Sequence, residues 1–400
     1  MNKAIIAIDS FKGCLTSEEA GSAVMEGIKT IFPDCETLLF PIADGGEGML
    51  DILTSATKGK YRTLPAHGPL MELVQGRYGI SGDGQTALIE MAAVSGLPLV
   101  PEDKRNPMLT TTYGTGELIL DALEQGCRHF IVGIGGSATN DGGAGMLQAL
   151  GAHLVDECGC NIAPGLAGLE YVASIDLVPA LRALNGARVV VLSDVENPLV
   201  GRRGALTVFG GQKGLPTDDA EALRRYDSWM VGYGRLLDAA IIGARAQGLL
   251  RVLEGARTFG SVLGVPGAGA AGGLGAALLA LGAELCSGVE TVLDLIGFDE
   301  RVRDADLVIT GEGNMDEQSA AGKAPVGVAR RAKRCGKPVV AVVGGRADNL
   351  DAVYGQGVDL VLPVCRKPMG LELALDPQEA TTNLICAGEA AARSYDLGRI

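Results

Sequence analysis

The sequence predicts an α/β protein in which both chain ends form a Rossmann-like parallel-sheet domain and a second α/β domain is inserted between them. Three observations predict this fold. The chain has 400 residues, which exceeds the size at which one hydrophobic core stops growing. Short apolar runs alternate with helical patterns at both ends, as in βαβ units. Glycine makes up 59 of the 400 residues and clusters in short loops beside acidic residues, which is typical of backbone that approaches a ligand closely.

The N-terminal segment predicts two successive strand–loop–helix units. Residues 3–9 are a short apolar and β-branched run, and Ser17 opens a helical pattern. Residues 36–42 predict the next strand, residues 43–48 predict its loop, and a helix follows. The C-terminal segment predicts three more strands before a final helix, over residues 305–310, 337–343 and 358–364.

The middle of the chain has a different pattern. Residues 73–80 and 85–91 predict a pair of short strands, followed by helices and long glycine-rich loops. We therefore expect a discontinuous first domain of residues 1–70 and 289–400, and an inserted domain of residues 71–288.

One uncharged stretch requires a separate interpretation. Residues 258–283 contain no charged side chain, but their many glycines and alanines make them only weakly apolar. We expect a glycine-rich loop that leads into a buried helix from about Leu274, and not a membrane span.

Composition excludes several classes of function. A formal net charge of −14 gives no general attraction for nucleic acid or for an anionic membrane. The apolar run before Asp9 is too short for the core of a signal peptide, so we expect a cytoplasmic protein. Three isolated histidines and nine cysteines without a Cys-x-x-Cys pair argue against zinc chemistry and histidine-centred triads. A general base would then be a carboxylate.

Three predicted strands of the two chain ends are followed by carboxylates. Ligands of open parallel sheets bind at the carboxyl ends of strands, so we expect these loops to form one site. The alternative is that each Asp only caps the helix that follows it. The three loops are Asp9-Ser10-Phe11-Lys12, Asp44-Gly45-Gly46-Glu47 and Gly311-Glu312-Gly313.

A longer glycine-rich loop follows a predicted strand in the middle of the chain. Residues 133–145 contain Gly135 and Gly136, and then side chains that can form hydrogen bonds. Successive backbone N–H groups in such a loop can hold an anion. The alternative is a capped loop whose glycines only permit the turn. The polar side chains are Ser137, Thr139, Asn140 and Asp141, of which the last could meet a metal or a hydroxyl.

Three further segments of the middle region could take part. Gly267-x-Gly269-x-x-Gly272 matches the dinucleotide fingerprint in form, but a single match is weak. Phosphate contact without a nicotinamide cofactor and tight helix packing are the two remaining interpretations, of roughly equal weight. Asp194 ends a buried-strand pattern, and Lys213 lies on a glycine-flanked loop. A Walker A loop is absent, because Ala324 follows Gly322-Lys323 and Glu317 occupies the position of its first glycine.

Carboxylates, glycine loops and a few lysines suit phosphoryl transfer, in which a protein mainly positions groups and neutralises charge. The motifs also closely resemble those of the bacterial type 1 glycerate kinases, in the same order and over nearly the whole chain. The quoted segments are residues 8–13, 41–48, 110–117, 133–145, 194–199, 212–214, 266–273 and 310–313, with Asp316, Gln318 and Gly322-Lys323.

This resemblance implies MgATP-dependent phosphorylation of D-glycerate at its 2-hydroxyl, giving 2-phosphoglycerate and ADP within glyoxylate or sugar-acid metabolism. It also implies a two-domain protein with the site in the cleft between the domains. The 3-hydroxyl is the alternative acceptor, and the sequence leaves the oligomeric state open. Asn314 departs from the family, which usually has Arg after Gly-Glu-Gly, and residues 215–259 also look longer than expected.

We assign roles on this basis as expectations. The catalytic residues are Asp44, Asp194, Lys12 and Lys213; the metal ligands are Glu312 and Asp316, although the sequence leaves open which of the four carboxylates is the base. Cofactor binding is expected from Gly135, Gly136, Ser137, Thr139, Asn140, Asp141, Gly267, Gly269 and Gly272, and substrate binding from Asp9, Ser10, Gly45, Gly46 and Glu47.

Two other functional classes stay open at this point. The fingerprint-like glycines suggest a nicotinamide-dependent dehydrogenase of a small hydroxy acid. The Asn at position 314 suggests a sensor that binds glycerate or nucleotide without catalysis.

Overall fold

The computed structural model describes residues 1–43, 46, 48–216, 218–250, 260–317 and 319–397. The chain divides into two compact units, Met1–Asp44 with Ser287–Ile400 and Gly45–Cys286. The strands are β1 (Lys3–Ile8), β2 (Glu36–Leu39), β3 (Lys60–His67), β4 (Leu73–Ile80), β5 (Thr86–Glu90), β6 (His129–Gly133), β7 (His153–Val155), β8 (Ser174–Asp176), β9 (Arg188–Leu192), β10 (Glu284–Cys286), β11 (Leu307–Met315), β12 (Val339–Arg346) and β13 (Leu360–Pro363). The α-helices are α1 (Ser17–Ile31), α2 (Met49–Ala56), α3 (Ala92–Ser95), α4 (Tyr113–Glu124), α5 (Ala144–Ala149), α6 (Val178–Leu184), α7 (Ala205–Phe209), α8 (Ala220–Ala246), α9 (Ala270–Ala280), α10 (Gly288–Leu295), α11 (Phe298–Val302), α12 (Ala324–Arg334), α13 (Asp351–Gly355), α14 (Leu371–Ala374) and α15 (Pro377–Leu397).

The first unit is built on a parallel sheet with the strand order β13-β12-β11-β1-β2. Two of these strands come from the N-terminal end of the chain and three from the C-terminal end, which confirms the predicted Rossmann-like domain. All residues of β1 after Lys3 are buried. Such continuous burial is expected of a parallel strand, because helices cover both faces of the sheet.

Helix α1 begins at Ser17, as predicted, because the residue before it caps the helix. The Thr16 hydroxyl accepts a hydrogen bond from the Glu19 N–H at 3.2 Å, and the Glu19 carboxylate accepts one from the Thr16 N–H at 2.9 Å. This reciprocal pair is a capping box, which satisfies N–H groups that have no partner within the helix.

The second unit contains a six-stranded sheet in the order β10-β9-β6-β5-β4-β3. The first four strands are parallel, and β4 pairs antiparallel with both β3 and β5. The inserted α/β domain and its β4–β5 pair are therefore confirmed. A small antiparallel ladder of β7 and β8 completes the unit.

The first boundary between the units differs from the predicted position at residue 70. It lies after residue 44, because β3 belongs to the second sheet and α2 is bonded to that sheet. The Leu50 N–H of α2 donates to the Glu90 carboxylate at the end of β5 at 2.7 Å. In the sequence, strand and helix patterns alternate on both sides of residue 44, so the pattern does not show that the chain passes from one sheet to the other there.

Two strands differ in length from the predicted ones. β2 ends at Leu39 and not at residue 42. β11 continues to Met315, so Gly311-Glu312-Gly313 is strand and not loop. The extension forms because β12 also continues through its own glycine pair, with Asn314 opposite Gly345.

Several elements of the second unit are absent from the sequence prediction, among them β3 and the 27-residue helix α8. The predicted helical start at Leu274 is correct, because Ala271, Gly272 and Gly273 have left-handed backbone angles. Within the described residues, no helix has both the length and the apolar character needed to cross a membrane.

Helices α1 and α15 approach each other closely at glycine. A Cβ on Gly27 would lie 2.0 Å from the carbonyl oxygen of Ile385, whereas a Cβ on Gly232 of α8 would meet nothing within 4 Å. We expect Gly27→Ala to lower the free energy of unfolding by about 1–3 kcal/mol, because backbone must shift to admit the methyl group. Gly232→Ala, the matched control, should raise it by about 0.5–1 kcal/mol through its helix propensity. Urea denaturation measures both, and equal effects of the two variants would contradict the packing argument.

Candidate active site

In the first unit, the loop after β1 lies beside the end of β11. The Asp9 N–H donates to the Gly311 carbonyl at 2.9 Å, which continues the pairing of the two strands. A Cβ on Gly313 would lie 3.7 Å from the Phe11 Cα and 3.8 Å from the backbone nitrogen of Lys12. Asp9 is buried and Lys12 is exposed. Two of the predicted strand-end motifs therefore meet, as expected.

Glu312 and Asp316 are joined through Ser319, which the sequence analysis did not identify. The Ser319 hydroxyl donates to the Glu312 carboxylate at 2.6 Å and accepts from the Asp316 N–H at 3.1 Å. The Ser319 N–H in turn donates to the Asp316 carboxylate at 3.3 Å. Lys323 Nζ lies 3.8 Å from the same carboxylate. The spacing of Asp316 and Ser319 is a local turn signal that could have indicated this bond.

The donor set of this cluster consists of oxygen atoms, which suits Mg²⁺. Within the described ranges, no group of three or more His, Cys, Asp or Glu side chains is arranged to hold a metal. Mg²⁺ commonly uses one or two carboxylates and completes its shell with water and substrate phosphates. The ligand role of Glu312 and Asp316 is compatible with that chemistry and stays a prediction.

In the second unit, three neighbouring strands end at the same edge of the sheet. Glu90 of β5 pairs with Gly133 of β6, and Gly133 pairs with Leu192 of β9. The loop of residues 134–143 and the segment that contains Asp194 therefore begin side by side. Asp194 is half-buried.

Lys213 lies inside this unit and not on its surface. The side chain is 2% exposed, whereas a lysine on a glycine-flanked turn is ordinarily solvated. Its ammonium donates to the Ser137 hydroxyl at 2.7 Å, the Thr139 carbonyl at 2.8 Å and the Asn140 side-chain oxygen at 3.4 Å. Burial lowers the pKa of Lys213 to about 7, and the charge of Asp141 opposes this shift.

Asp141 is also enclosed, and protein donors occupy both of its carboxylate oxygens. One oxygen accepts from the Gly143 N–H at 3.0 Å. The other accepts from the Thr111 hydroxyl, from the Thr112 hydroxyl and N–H, and from the Gly145 N–H, at 2.8–3.2 Å. The expected contact of Asp141 with a metal, a nucleotide or a hydroxyl is therefore corrected: the carboxylate fastens the loop to the segment before α4.

The loop of residues 266–273 packs directly on its neighbours. The Gly269 N–H donates to the Asn197 carbonyl at 2.9 Å, and the Gly142 N–H donates to the Gly272 carbonyl at 3.0 Å. A Cβ on Gly272 would lie 2.0 Å from the Thr139 carbonyl oxygen, and one on Gly269 would lie 2.2 Å from that of Pro198. Close packing of backbone is the visible reason for these glycines.

The dinucleotide fingerprint is not supported by this geometry. A short 3₁₀ turn at Val262–Gly264 precedes Gly267, where the motif requires a strand. Ala271, Gly272 and Gly273 have left-handed backbone angles, so no regular helix opens at the third glycine. The dehydrogenase alternative therefore loses its only motif, whereas the ATP-binding role of Gly267, Gly269 and Gly272 stays a prediction.

Only the tip of the loop of residues 133–145 reaches the surface. Gly136 is exposed and Gly135 half-buried, whereas Ser137, Thr139 and Asn140 are buried. The Thr139 hydroxyl and the Asn140 amide nitrogen are buried without a hydrogen-bond partner. The two glycines are the accessible part of the loop, and ligand contact by the side chains of Ser137, Thr139 and Asn140 stays a prediction.

The structure also identifies Arg105 and Tyr233 beside this network. A Cβ on Gly214 would lie 2.2 Å from the Arg105 carbonyl oxygen, so Arg105 lies against the turn that carries Lys213. The Arg105 Nε is buried and has no hydrogen-bond partner. The Tyr233 hydroxyl of α8 donates to the Gly142 carbonyl at 2.9 Å, and burial raises the pKa of that hydroxyl. Neither residue has a local sequence signal.

Three residues of the predicted site, Asp44, Gly45 and Glu47, lie outside the described residues, as does Gln318. Gly46 is described, and its carbonyl accepts a hydrogen bond from the Met49 N–H at 3.4 Å. Ser10 donates its N–H to the Asp9 carboxylate at 2.7 Å. The substrate-binding role of the Asp44–Glu47 motif stays a prediction.

The buried Lys213 should make stability depend on pH. Its pKa is lowered from 10.5 to about 7, so between these values the unfolded chain binds a proton that the folded chain does not. The contribution of Lys213 to stability therefore rises with pH over this interval and is least favourable below pH 7. We compare the free energy of unfolding of the parent protein with that of Lys213→Met. The difference, parent minus variant, should rise between pH 7 and 10.5 by up to about 1.4 kcal/mol per pH unit. Urea denaturation across pH 6–10 tests this, and a flat or falling difference would contradict it.

The comparisons with known proteins agree over the full chain. The family model of the glycerate kinase family matches residues 4–396. A glycerate kinase of Bacillus cereus is 45% identical over 97% of both chains, and a glycerate 2-kinase of Escherichia coli K12 is 46% identical over 90% of both. A crystal structure of a candidate glycerate kinase 2 from Salmonella typhimurium LT2 has a TM-score of 0.79 and 42% identity, and covers 100% of this chain and 99% of that one. This chain therefore belongs to the glycerate kinase family and is a kinase.

Proposed function

We propose that this protein transfers the γ-phosphoryl group of ATP to the 2-hydroxyl of D-glycerate, releasing 2-phosphoglycerate and ADP, with Mg²⁺ as the metal. The observation that carries the proposal is the 46% identity to the E. coli protein named glycerate 2-kinase, over 90% of both chains. Identity of this extent supports a shared reaction as well as a shared fold.

The site residues support the proposal through their chemistry. Phosphoryl transfer depends mainly on positioning and on neutralising the charge of the phosphates. Each unit places polar groups after the carboxyl ends of parallel strands, where ligands of open sheets bind. In the first unit these are Asp9 and Lys12 after β1, with Glu312 near them in the last part of β11; in the second they are Asp194 and the Gly135–Gly136 tip.

Glu312 and Asp316 would hold Mg²⁺ in this proposal. The metal supplies positive charge against the phosphate oxygens when it is bound. Ser319 bonds to both residues and so orients their carboxylates relative to each other. Lys323, at 3.8 Å from Asp316, limits the negative charge of the pair in the absence of substrate.

The remaining roles are assigned by the charge of each group and, for the described residues, also by its exposure. Asp194 and Asp44 are the proposed carboxylates that accept the hydroxyl proton of glycerate, since the chain has only three histidines and none lies on these loops. Lys12 is exposed beside Gly313 and can offset phosphate charge directly. Asp9, Ser10 and residues 45–47 form the proposed glycerate-binding segments.

Arg105 is the proposed partner of an anionic group of a substrate. A buried guanidinium N–H without an acceptor is costly, and a carboxylate or phosphate oxygen would satisfy it. Both glycerate and ATP supply such oxygens. The position of Arg105 against the Lys213 turn places it in the second unit with the Gly135–Gly136 loop.

Incubation with MgATP and D-glycerate tests the reaction, with the product identified by phosphorus NMR. We expect the resonance of 2-phosphoglycerate together with ADP, and neither product when ATP is replaced by NAD. The resonance of 3-phosphoglycerate would overturn the assignment of the hydroxyl. Binding of glycerate or ATP without ADP formation would overturn catalysis and support the sensor alternative.

Arg105→Lys tests the anion contact, because lysine keeps the charge but loses the guanidinium fork. We expect the KM of one substrate to rise by about 10-fold or more, as for the loss of one charge-assisted hydrogen bond. A rise for D-glycerate assigns the contact to the carboxylate, and a rise for ATP assigns it to a phosphate. Arg182→Lys, at an exposed position of α6, is the matched control and should leave both KM values unchanged. An Arg105→Lys variant with unchanged KM for both substrates would exclude the contact.

A further inference from the structure

The three donor hydrogens of the Lys213 ammonium all have acceptors within the protein. The acceptors are the Ser137 hydroxyl, the Thr139 carbonyl and the Asn140 side-chain oxygen, and they belong to one stretch of four residues. A lysine ammonium has three N–H donors and no acceptor. No donor of Lys213 therefore remains for a phosphate oxygen while these bonds exist.

The stretch that Lys213 holds is also fixed on its other sides. Asp141 binds the next turn of the loop to Thr111 and Thr112. The Gly272 backbone packs against Thr139 so closely that a Cβ there would lie 2.0 Å from the Thr139 carbonyl oxygen. The Ala138 N–H donates to the Ser95 carbonyl at 2.9 Å. The conformation of residues 137–141 is thus set by long-range contacts, of which Lys213 makes three.

The neighbouring tip has the opposite character. Gly136 is exposed, has a φ of +73° and is anchored by its carbonyl, which accepts from the Leu97 N–H at 2.8 Å. Across the described part of the chain, the N–H groups of Gly135 and Gly136 donate to no backbone carbonyl. Free backbone N–H groups at the end of a parallel strand are suitable donors for a phosphate oxygen.

We propose that Lys213 is a positioning residue of the phosphoryl transfer: by holding Ser137, Thr139 and Asn140 it presents the N–H groups of Gly135 and Gly136 to a phosphate of ATP, and it does not touch the phosphate itself. This inference rests on the proposed function. It assigns phosphate contact to the backbone tip and changes the expected role of Lys213 from direct charge stabilisation to support of the loop.

The titratable side chains that lie near Lys213 include Asp141, Tyr233 and Arg105. Asp141 is the acidic group of the loop of residues 133–145 whose charge acts on Lys213. The Tyr233 hydroxyl of α8 bonds to the Gly142 carbonyl of the same loop. Arg105 lies against the turn that carries Lys213. The pKa of Lys213 is lowered to about 7 by burial, so its protonation changes within the range of an ordinary activity assay.

A double-mutant cycle on the full-length protein tests the proposal. Lys213→Met, Ser137→Ala and the double variant are compared with the parent for kcat and for the KM of MgATP and D-glycerate. We expect Lys213→Met to lower kcat/KM for MgATP by about 100-fold, the scale of a misplaced binding group. Ser137→Ala should have a smaller effect, and the double variant should be no worse than Lys213→Met, because both changes act through one loop. Lys60→Met, at an exposed position of β3, is the matched control and should retain the parent values.

Three results would overturn the proposal: parent-like kinetics of Lys213→Met, fully multiplicative losses in the double variant, or an unchanged pH profile. The parent profile of kcat/KM should have a limb near pH 7 from Lys213, and this limb should vanish in Lys213→Met. A merely structural role would leave the limb in place. If Lys213→Met does not fold, the pH profile of Ser137→Ala decides. This variant removes one acceptor of the Lys213 ammonium, so it should lower the pKa of Lys213 and shift the limb of kcat/KM to lower pH. A limb at the parent position would overturn the proposal. Absence of any kinase activity in the parent would instead overturn the proposed function.

Discussion

The second unit depends on burying a lysine and an aspartate in one polar network. Removing an ion from water costs several kcal/mol unless its hydrogen-bonding groups are satisfied. Asp141 meets this requirement with donors from its own loop and from the segment before α4, and Lys213 meets it with three acceptors. The two charges also oppose each other's desolvation, since Asp141 favours the protonated lysine. Segments far apart in the sequence must therefore come together before either group can be buried.

This requirement explains much of the glycine content. The loop of residues 266–273 approaches the loop of residues 133–145, and the turn at Lys213 approaches Arg105, at distances that leave no room for a Cβ. The Gly272 backbone lies against Thr139, and the Gly214 backbone lies against Arg105. From the sequence alone we expected such glycines to permit close approach of a ligand. In the second unit many of them permit close approach of other backbone, and the exposed Gly135–Gly136 tip is the part that suits a ligand.

Local patterns predicted the elements whose causes are local. The apolar run of β1 and the helical pattern that opens at Ser17 predicted that unit with correct starting residues, and the alternation at both chain ends predicted the discontinuous parallel sheet. Patterns failed where a partner distant in sequence decides the outcome. β11 continues through Gly311-Glu312-Gly313 because β12 pairs with it, and the first domain ends near residue 44 because β3 joins another sheet. The candidate site follows the same rule. The sequence indicated Lys213 and Asp141 as site residues but not their burial. Lys213 is enclosed by partners more than 70 positions away, and Asp141 by partners about 30 positions away.

The central claim is that the backbone tip, and not Lys213, contacts phosphate. A crystal structure with Mg²⁺, D-glycerate and a non-hydrolysable ATP analogue measures this most directly. The account predicts phosphate oxygens within hydrogen-bond distance of the Gly135 and Gly136 nitrogens, with Lys213 Nζ still bonded to Ser137 and Thr139. A Lys213 Nζ that has left those acceptors and bonds to a phosphate oxygen would contradict it.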